Sequence, residues 1–192
     1  MTKKRIALNK VTMQTFSLSP VFIVIKDDTK TSGVNVITVS YISVLSENPP
    51  IIGIAIRPKR YSSKLLFSEM EFTLNIPTIK QLADLDYCGS VSGRIIDKIN
   101  QRKITLSPAE QIKTPIIKDC PINLECQVIR TLGPDDFDSS HYFFIAKVVH
   151  ATRDNNFSID DAEILATTNY QFRLVTKQLG EAYKTWRQKK ED

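Results

Sequence analysis

Two short polar segments are the parts of this chain whose residues are best suited to chemistry. The first, Asn35–Tyr41, reads Asn-Val-Ile-Thr-Val-Ser-Tyr: it has the composition of a β-strand, yet carries amide and hydroxyl groups along its length. The second, Ser92–Lys98, combines two cations with a serine hydroxyl and a flexible glycine. Cations, hydroxyls and amides are the groups that bind phosphate. Together the segments predict a pocket for an anionic, planar ligand.

More candidates for anion binding lie between these segments. Ser62 and Ser63 stand at a predicted helix start, where unpaired backbone amides and the helix dipole favour anions. Arg57 and Arg60 come just before them and add positive charge. A simpler interpretation is that Ser63 only caps the helix.

Arg94 and Lys98 are four residues apart, and therefore lie on one face if the segment is helical. They suit a phosphate, but they also suit an ordinary solvated surface. Residue types alone favour the surface interpretation, because exposed ion pairs are common and weak.

Uncharged candidates could contact the planar part of a ligand. Alternation places Thr38 and Ser40 on one strand face, where paired hydroxyls could bind the edge of a heterocycle, with Tyr41 packing nearby. Asn75, just before Pro77, either fixes its own turn or donates to a ligand. His141 is a weak candidate for a proton donor, the alternative being a plain surface histidine.

No reaction centre made of protein side chains emerges from the sequence. The three cysteines have no plausible activating neighbour, and no GxSxG serine elbow is present. The glycines are too few and wrongly spaced for a GxGxxG or Walker loop. Any chemistry is therefore expected to belong to a cofactor.

Composition restricts the class of protein further. The 192 residues suit one domain, with 42% hydrophobic and 24% charged residues, which is ordinary for a globular protein. The apolar runs are too short to cross a bilayer, and the basic N-terminus lacks the apolar segment of a secretion signal. We expect a cytoplasmic protein with no membrane contact.

Cysteine count and charge exclude two further kinds of site. Three cysteines without CxxC spacing or clustered histidines predict buried free thiols and no metal. The net charge of +5 comes largely from basic residues near the chain ends, which are typical of solvated tails. We therefore expect no nucleic-acid partner.

The elements that must position these residues are mostly strands. Short strands separated by turns predict a mainly β fold, a closed antiparallel barrel with helical decoration. The predicted strands are Pro20–Lys26, Asn35–Tyr41, Ile51–Ile56, Glu71–Ile76, Pro121–Val128 and His141–His150, the last two as antiparallel partners. Short helices are expected from Ser62 or Ser63 to about Glu69, from about Ile79 to Asp86, and for a turn around Ile95–Ile99. A C-terminal amphipathic helix is predicted over about 171–190 of the single domain 1–192.

Four motifs in a fixed order connect the chain to a known family. They are Asn35–Tyr41, then Asn48-Pro49-Pro50 leading into a buried strand, then Arg57–Ser62 with Phe72–Asn75, and finally Ser92–Lys98. In this order and at these separations, the chain resembles the flavin reductase-like family, in particular the flavoredoxin group of FMN-binding split barrels. The resemblance extends from about Pro20 to His150.

That resemblance implies a homodimeric split barrel with FMN bound non-covalently near the subunit interface. Electrons would pass from NADH, NADPH or another donor through FMN to an acceptor, which could be a partner protein. By analogy, the flavin ring would lie along Thr38–Tyr41, and the phosphate and ribityl chain would lie among the later residues. The implied cofactor-binding set is Asn35, Thr38, Val39, Ser40, Tyr41, Arg57, Arg60, Ser62, Ser63, Asn75, Ser92, Arg94 and Lys98.

The chain departs from the family pattern at two places. Tyr41 stands where tryptophan is frequent, and Asp138-Ser139-Ser140 precedes His141 where glycine-aspartate is often found. Two other functions remain open beside a reductase. One is an FMN-binding electron carrier or flavin store without its own NAD(P)H reaction, and the other is a flavin-free dimeric interaction module.

Overall fold

The structure, a computed structural model, describes residues 16–157, 164–168 and 171–175. Eleven strands lie within these ranges: β1 (Val21–Lys26), β2 (Val34–Val39), β3 (Ile42–Glu47), β4 (Pro50–Ile56), β5 (Glu71–Ile76), β6 (Leu106–Ser107), β7 (Ile116–Ile117), β8 (Ile122–Leu132), β9 (Tyr142–Arg153), β10 (Ile164–Thr168) and β11 (Gln171–Val175). Four helices lie within the same ranges: α1 (Tyr61–Glu69), α2 (Leu82–Ser90), α3 (Lys98–Arg102) and α4 (Pro134–Phe137). A single 3₁₀ turn, Ile79–Gln81, leads into α2.

Seven strands form one antiparallel sheet in the order β2-β1-β5-β8-β9-β4-β3. Its two edge strands, β2 and β3, follow each other in the chain with only Ser40 and Tyr41 between them. Such a link spans roughly 11 Å at most, whereas the outer strands of a flat seven-stranded sheet would be roughly 29 Å apart. The sheet must therefore roll up until its edges meet.

The rolled sheet encloses the main hydrophobic core. Alternate residues from β1, β2, β4, β5, β8 and β9 point into it, and Leu66 of α1 packs against them. Phe72 and Phe144 are its largest side chains and are fully buried. The mainly β prediction is confirmed, and the architecture fits a split barrel. The expected closed barrel needs correction, because no ladder joins β2 to β3 among the described strands.

A second core covers the outer face of β1 and β2. Phe22, Val24 and Val36 pack there against Leu85 of α2 and Ile99 of α3. Both faces of β1 and β2 are therefore buried, which explains their almost continuous apolar sequences. This packing also places α2 and α3 beside the seam between β2 and β3.

Polar side chains of β5 and β8 hold the chain segment that precedes β8. The Glu125 carboxylate accepts hydrogen bonds from the backbone N–H groups of Glu110, Gln111 and Ile112 at 2.8, 2.7 and 3.1 Å. Asn75 Oδ1 accepts the Ile117 N–H at 2.8 Å and the Asn123 side-chain amide at 2.8 Å. These buried side chains thus satisfy backbone N–H groups of the segment that precedes β8.

Most predicted elements are present, with shifted boundaries. The predicted strands and the β8–β9 pairing are confirmed, although β2 ends at Val39 rather than Tyr41. Helix α1 begins one residue before Ser62, with Arg60 as its N-cap. The Ser62 or Ser63 cap is therefore wrong. The turn around Ile95 is not helical: Ile95 is 84% exposed and α3 begins at Lys98.

The predicted C-terminal helix lies mostly outside the described residues. Its first part, Gln171–Val175, is strand β11, which pairs antiparallel with β10. The helix prediction therefore does not hold for these five residues. Phe172 and Leu174 alternate with Gln171 and Arg173, which is the two-residue period of a strand.

Cys88, Cys120 and Cys126 are buried free thiols, as predicted. Within the described ranges, no grouping of histidine, cysteine and acidic side chains suits a metal ion. No helix there has the length and apolar character needed to span a membrane.

Candidate functional site

The seam between the sheet edges carries a cleft of about 380 Å³, here called the strand cleft. Residues of β2 and of the β2–β3 link form one wall, and the end of β4, the segment that follows it and the residue before β9 form the other. The lining residues are Ile37, Thr38, Val39, Ser40, Tyr41, Ala55, Ile56, Arg57, Arg60 and His141. None of these side chains is a carboxylate.

A second cleft of about 310 Å³, here called the basic cleft, adjoins the first. It lies between the start of α1 and the loop that connects α2 to α3. The lining residues are Ile37, Arg57, Lys59, Arg60, Tyr61, Ser62, Cys88, Val91, Ser92, Gly93 and Lys98. Ile37, Arg57 and Arg60 belong to both clefts, so the two form a continuous groove.

The basic cleft is built to hold an anion. Four cations, Arg57, Lys59, Arg60 and Lys98, line it without any lining carboxylate. The amino end of the nine-residue helix α1 also opens into it. The helix dipole and the first backbone amides of α1 add to the positive potential there.

Lys98 is the most unusual of these cations because it is buried. Its side chain is 4% exposed, and Nζ donates to the carbonyls of Cys88 at 3.0 Å and Val91 at 3.3 Å. It thereby fixes the carboxyl end of α2. Burial lowers the pKa of Lys98 to about 8, and nearby Arg60 and Lys30 act in the same direction.

The loop before Lys98 is anchored to the β1–β2 turn. Asp97 accepts the Ser32 N–H at 2.9 Å and the Ser32 hydroxyl at 2.8 Å, and it caps α3 through the Asn100 N–H at 3.2 Å. Burial alone would raise the pKa of Asp97, but these hydrogen bonds outweigh it and hold the pKa below its ordinary value. The loop that carries Ser92 and Gly93 is thus held in place from outside the cleft.

The strand cleft offers neutral polar groups and aromatic rings. The Thr38 hydroxyl donates to the Leu85 carbonyl, which ties the cleft wall to α2. The rings of Tyr41 and His141 lie with centroids 5.2 Å apart at 47°. The Tyr41 carbonyl accepts a hydrogen bond from the Ala55 N–H at 2.9 Å, which fixes the backbone that carries the Tyr41 ring.

His141 is held by its two preceding serines. The Ser140 hydroxyl lies 2.7 Å from Nδ1, and the Ser139 hydroxyl donates to the His141 carbonyl at 2.7 Å. Burial, followed by the charge of Arg57, lowers the pKa of His141. The imidazole is therefore neutral at pH 7, with Nε2 as the nitrogen that Ser140 does not contact.

The structure brings together nine of the thirteen predicted binding residues. Those that line the groove are Thr38, Val39, Ser40, Tyr41, Arg57, Arg60, Ser62, Ser92 and Lys98, and the weak candidate His141 joins them. The predicted association of the Asn35–Tyr41 and Ser92–Lys98 segments is thus present in three dimensions.

Four predicted residues do not line the groove. Asn35 is buried behind it and donates to the Ser62 hydroxyl oxygen. Ser63 donates to the carbonyls of Pro58 and Arg60. Asn75 belongs to the polar network of β5 and β8, and Arg94 is exposed beside the loop.

Sequence reasoning missed Lys59, Tyr61, Cys88 and Gly93. Lys59 and Tyr61 stand within the Arg57–Ser62 motif, so the local cluster of cations could have identified them. Cys88 has no such local signal, because it reaches the basic cleft only through the packing of α2 on β2.

A third cavity, here called the apolar groove, borders the strand cleft and measures about 490 Å³. Its walls are mostly aliphatic and aromatic. The lining residues are Phe16, Leu18, Tyr41, Ile42, Ser43, Leu45, Gly53, Ile54, Ala55, Leu132, Phe143 and Ile145. Tyr41 and Ala55 line both this groove and the strand cleft.

Comparison with known proteins gives one family and one fold. The family model for the flavin reductase like domain matches residues 13–174. An uncharacterized protein from Archaeoglobus fulgidus is 33% identical over 138 residues, which are 72% of this chain and 73% of that protein.

Solved structures share the fold at lower identity. Flavoredoxin from Methanosarcina acetivorans has a TM-score of 0.85 at 24% identity, covering 98% of this chain and 99% of that one. The NADH:FAD oxidoreductase SgcE6 of Streptomyces globisporus C-1027 has a TM-score of 0.73 at 17% identity, covering 88% and 92%. These two likenesses establish the fold alone.

The buried Lys98 makes stability depend on pH in a defined direction. Its pKa falls from 10.5 to about 8 on folding, so between these values the unfolded chain holds a proton that the folded protein lacks. Stability should therefore rise with pH from about 8 to 10.5, by at most roughly 3 kcal/mol from this group. Urea unfolding of the wild type and Lys98→Met across this window would measure it. A free-energy difference between the two proteins that does not change with pH would contradict the assignment.

Proposed function

We propose that this chain, which belongs to the flavin reductase-like family, is an FMN-binding oxidoreductase that passes electrons from NADH or NADPH to an acceptor. One observation carries the proposal: a cleft walled mainly by uncharged side chains, Tyr41 and His141 among them, joins a basic cleft at Arg57 and Arg60, and no carboxylate lines either cleft. A planar, uncharged ring system joined to a negatively charged phosphate is complementary to that arrangement.

The strand cleft suits the ring. Backbone and hydroxyl groups of Thr38–Tyr41 can meet the polar edge of a heterocycle, and Tyr41 can pack beside it. The Thr38 hydroxyl already donates to α2, so it can act toward a ligand only as an acceptor. Ser40 and the neighbouring backbone are then the donors on this wall.

The basic cleft suits the phosphate. Arg57, Arg60 and Lys98 supply charge, and Ser62 and Ser92 supply hydroxyl groups. Charge-assisted hydrogen bonds of this kind are each worth roughly 1.5–3 kcal/mol. The phosphate would also offset the repulsion of Lys98 by Arg60 and Lys30.

Bound FMN would supply the hydride and electron chemistry, and the protein would position it. Because its pKa is lowered, the neutral His141 can accept a proton in the strand cleft. With Nδ1 bound to Ser140, Nε2 is the atom able to exchange a proton with a bound substrate. Arg57 beside it favours the neutral imidazole.

We also propose that the apolar groove receives a second copy of this chain. Leu45 is 53% exposed and Val44 74%, on the edge strand β3. Exposed apolar patches of this kind mark interaction surfaces. Because Tyr41 and Ala55 border both cavities, a second copy seated there would also cover the mouth of the strand cleft.

The cellular setting follows from the same chemistry. Three buried thiols outside any disulfide suit a reducing compartment, where NADH and NADPH are also present. We therefore propose a cytoplasmic location, with a small molecule or a protein as the electron acceptor.

Flavin uptake and reduction test the function. Purified protein should bind FMN in a titration followed by flavin fluorescence, and anaerobic mixing with NADH or NADPH should bleach the bound flavin. Protein that takes up neither FMN nor FAD would leave the flavin-free interaction module. Flavin that binds but is reduced by neither nucleotide would leave the electron carrier or flavin store. Tighter binding of FAD than FMN would contradict the choice of FMN.

Lys98 and Arg94 form a matched pair for locating the phosphate. Lys98→Met should weaken FMN on the order of tenfold more than riboflavin, because only FMN carries the phosphate. Arg94→Ala should change both affinities little, since Arg94 is exposed and lies outside the groove. Equal losses of FMN and riboflavin in Lys98→Met would mean that the phosphate binds elsewhere.

Leu45→Asp should shift the protein from dimer to monomer, because it places a charge in the apolar groove. Ile129→Asp is the control, because Ile129 is 54% exposed on β8 and does not line the apolar groove. Sedimentation equilibrium would measure both. A wild type that is monomeric at micromolar concentration, or a Leu45→Asp protein that stays dimeric, would exclude this surface.

A further inference from the structure

Asn35 occupies a buried position directly behind the basic cleft. It is 4% exposed, and its Nδ2 donates to the Ser62 hydroxyl oxygen at 2.8 Å. On the other side it meets the loop after α2: a Cβ added to Gly93 would lie 1.8 Å from Asn35 Oδ1. One carboxamide therefore touches both walls of the cleft.

The hydrogen bond to Ser62 determines what the serine can do. A hydroxyl has one proton, and the Ser62 oxygen already accepts from Asn35. Among the described residues, the Ser62 hydroxyl donates to no acceptor, although the side chain is only 3% exposed and lines the basic cleft. Its proton is thus left for a group inside the cleft.

The neighbouring serine provides an internal contrast. Ser63 is equally buried, but its hydroxyl faces the carbonyls of Pro58 and Arg60 at 3.0 and 2.7 Å. Its proton is already engaged within the protein. Of the two serines, only Ser62 retains donor capacity toward a ligand.

We propose that Asn35 is a positioning residue that keeps Ser62 as a hydrogen-bond donor to the phosphate of the ligand. This inference rests on the proposed function, since it names the FMN phosphate as the acceptor. Asn35 also sets the spacing of the cleft, because its Oδ1 leaves room for glycine alone at position 93.

Asparagine is specifically required by this arrangement. Aspartate has the same shape but only acceptor oxygens when ionised. In Asn35→Asp, the Ser62 hydroxyl would therefore donate a hydrogen bond to the carboxylate, and the direction of the bond would be reversed. Ser62 would then present only an acceptor to the phosphate. The added negative charge would also repel the phosphate, and the experiment must separate that effect from the first.

A double-mutant cycle makes that separation. FMN and riboflavin affinities are measured for the wild type, Asn35→Asp, Ser62→Ala and the double variant, with Ser68→Ala, on the exposed part of α1, as control. Asn35→Asp should raise the ratio of FMN Kd to riboflavin Kd by on the order of tenfold or more, and Ser62→Ala by several-fold. In the Ser62→Ala background, the added effect of Asn35→Asp should shrink, because the donor is already absent. Charge repulsion alone would give the same factor in both backgrounds.

Each outcome supports or overturns the inference. The role of Asn35 is overturned if Asn35→Asp leaves the ratio of FMN Kd to riboflavin Kd unchanged. It is also overturned if Asn35→Asp raises that ratio by the same factor in the wild type and in Ser62→Ala. In both cases, FMN binding by the wild type would still uphold the proposed function. A wild type that binds no flavin overturns both. If Asn35→Asp does not fold, Ser62→Ala decides: a ratio equal to that of the wild type overturns the proposal.

Discussion

The short connection between the two edges of the sheet is the constraint on which the rest of the structure depends. Ser40 and Tyr41 alone join β2 to β3, although five strands separate these edges in the sheet. The sheet has to roll, and rolling creates both the enclosed core and a seam that no described ladder closes. No described strand pairs with the outer edge of β2, so a ligand can approach the backbone along that edge. The same two residues therefore shape the fold and line its cleft.

Support for the groove comes from side-chain hydrogen bonds made to backbone and side-chain groups of neighbouring elements. Thr38 ties one wall to α2, Lys98 fixes the end of that helix, and Ser32 holds Asp97 at the start of α3. The two hydrophobic cores on either side of β1 and β2 fix the backbone from which these bonds are made. The groove is thus pre-organised by rigid packing on both faces of one hairpin, an arrangement that lowers the entropic cost of binding.

Much of the fold was predictable from the sequence, because buried strands leave clear patterns: an apolar run in Val21–Lys26 and an alternation of polar and apolar residues in Glu71–Ile76. Strand β3 was not predictable in this way. It is an edge strand that pairs with β4 and is largely exposed, so its sequence carries no clear apolar pattern. The candidate site divides in a similar way. Cations and hydroxyls in Arg57–Ser62 could be identified from their types, but Asn35, Ser63 and Asn75 have the same chemistry as ligand-binding residues. Only three-dimensional packing shows that their polar groups are directed to other parts of the protein.

The buried Lys98 would make the turnover of the protein in the cell depend on its ligand. A cation held out of water beside other cations lowers the stability of the empty form, whereas an anion bound in the basic cleft removes that penalty and adds its own binding free energy. Empty chains would then open more often and be degraded sooner than loaded ones. The abundance of the protein would follow the supply of its ligand without any dedicated regulator.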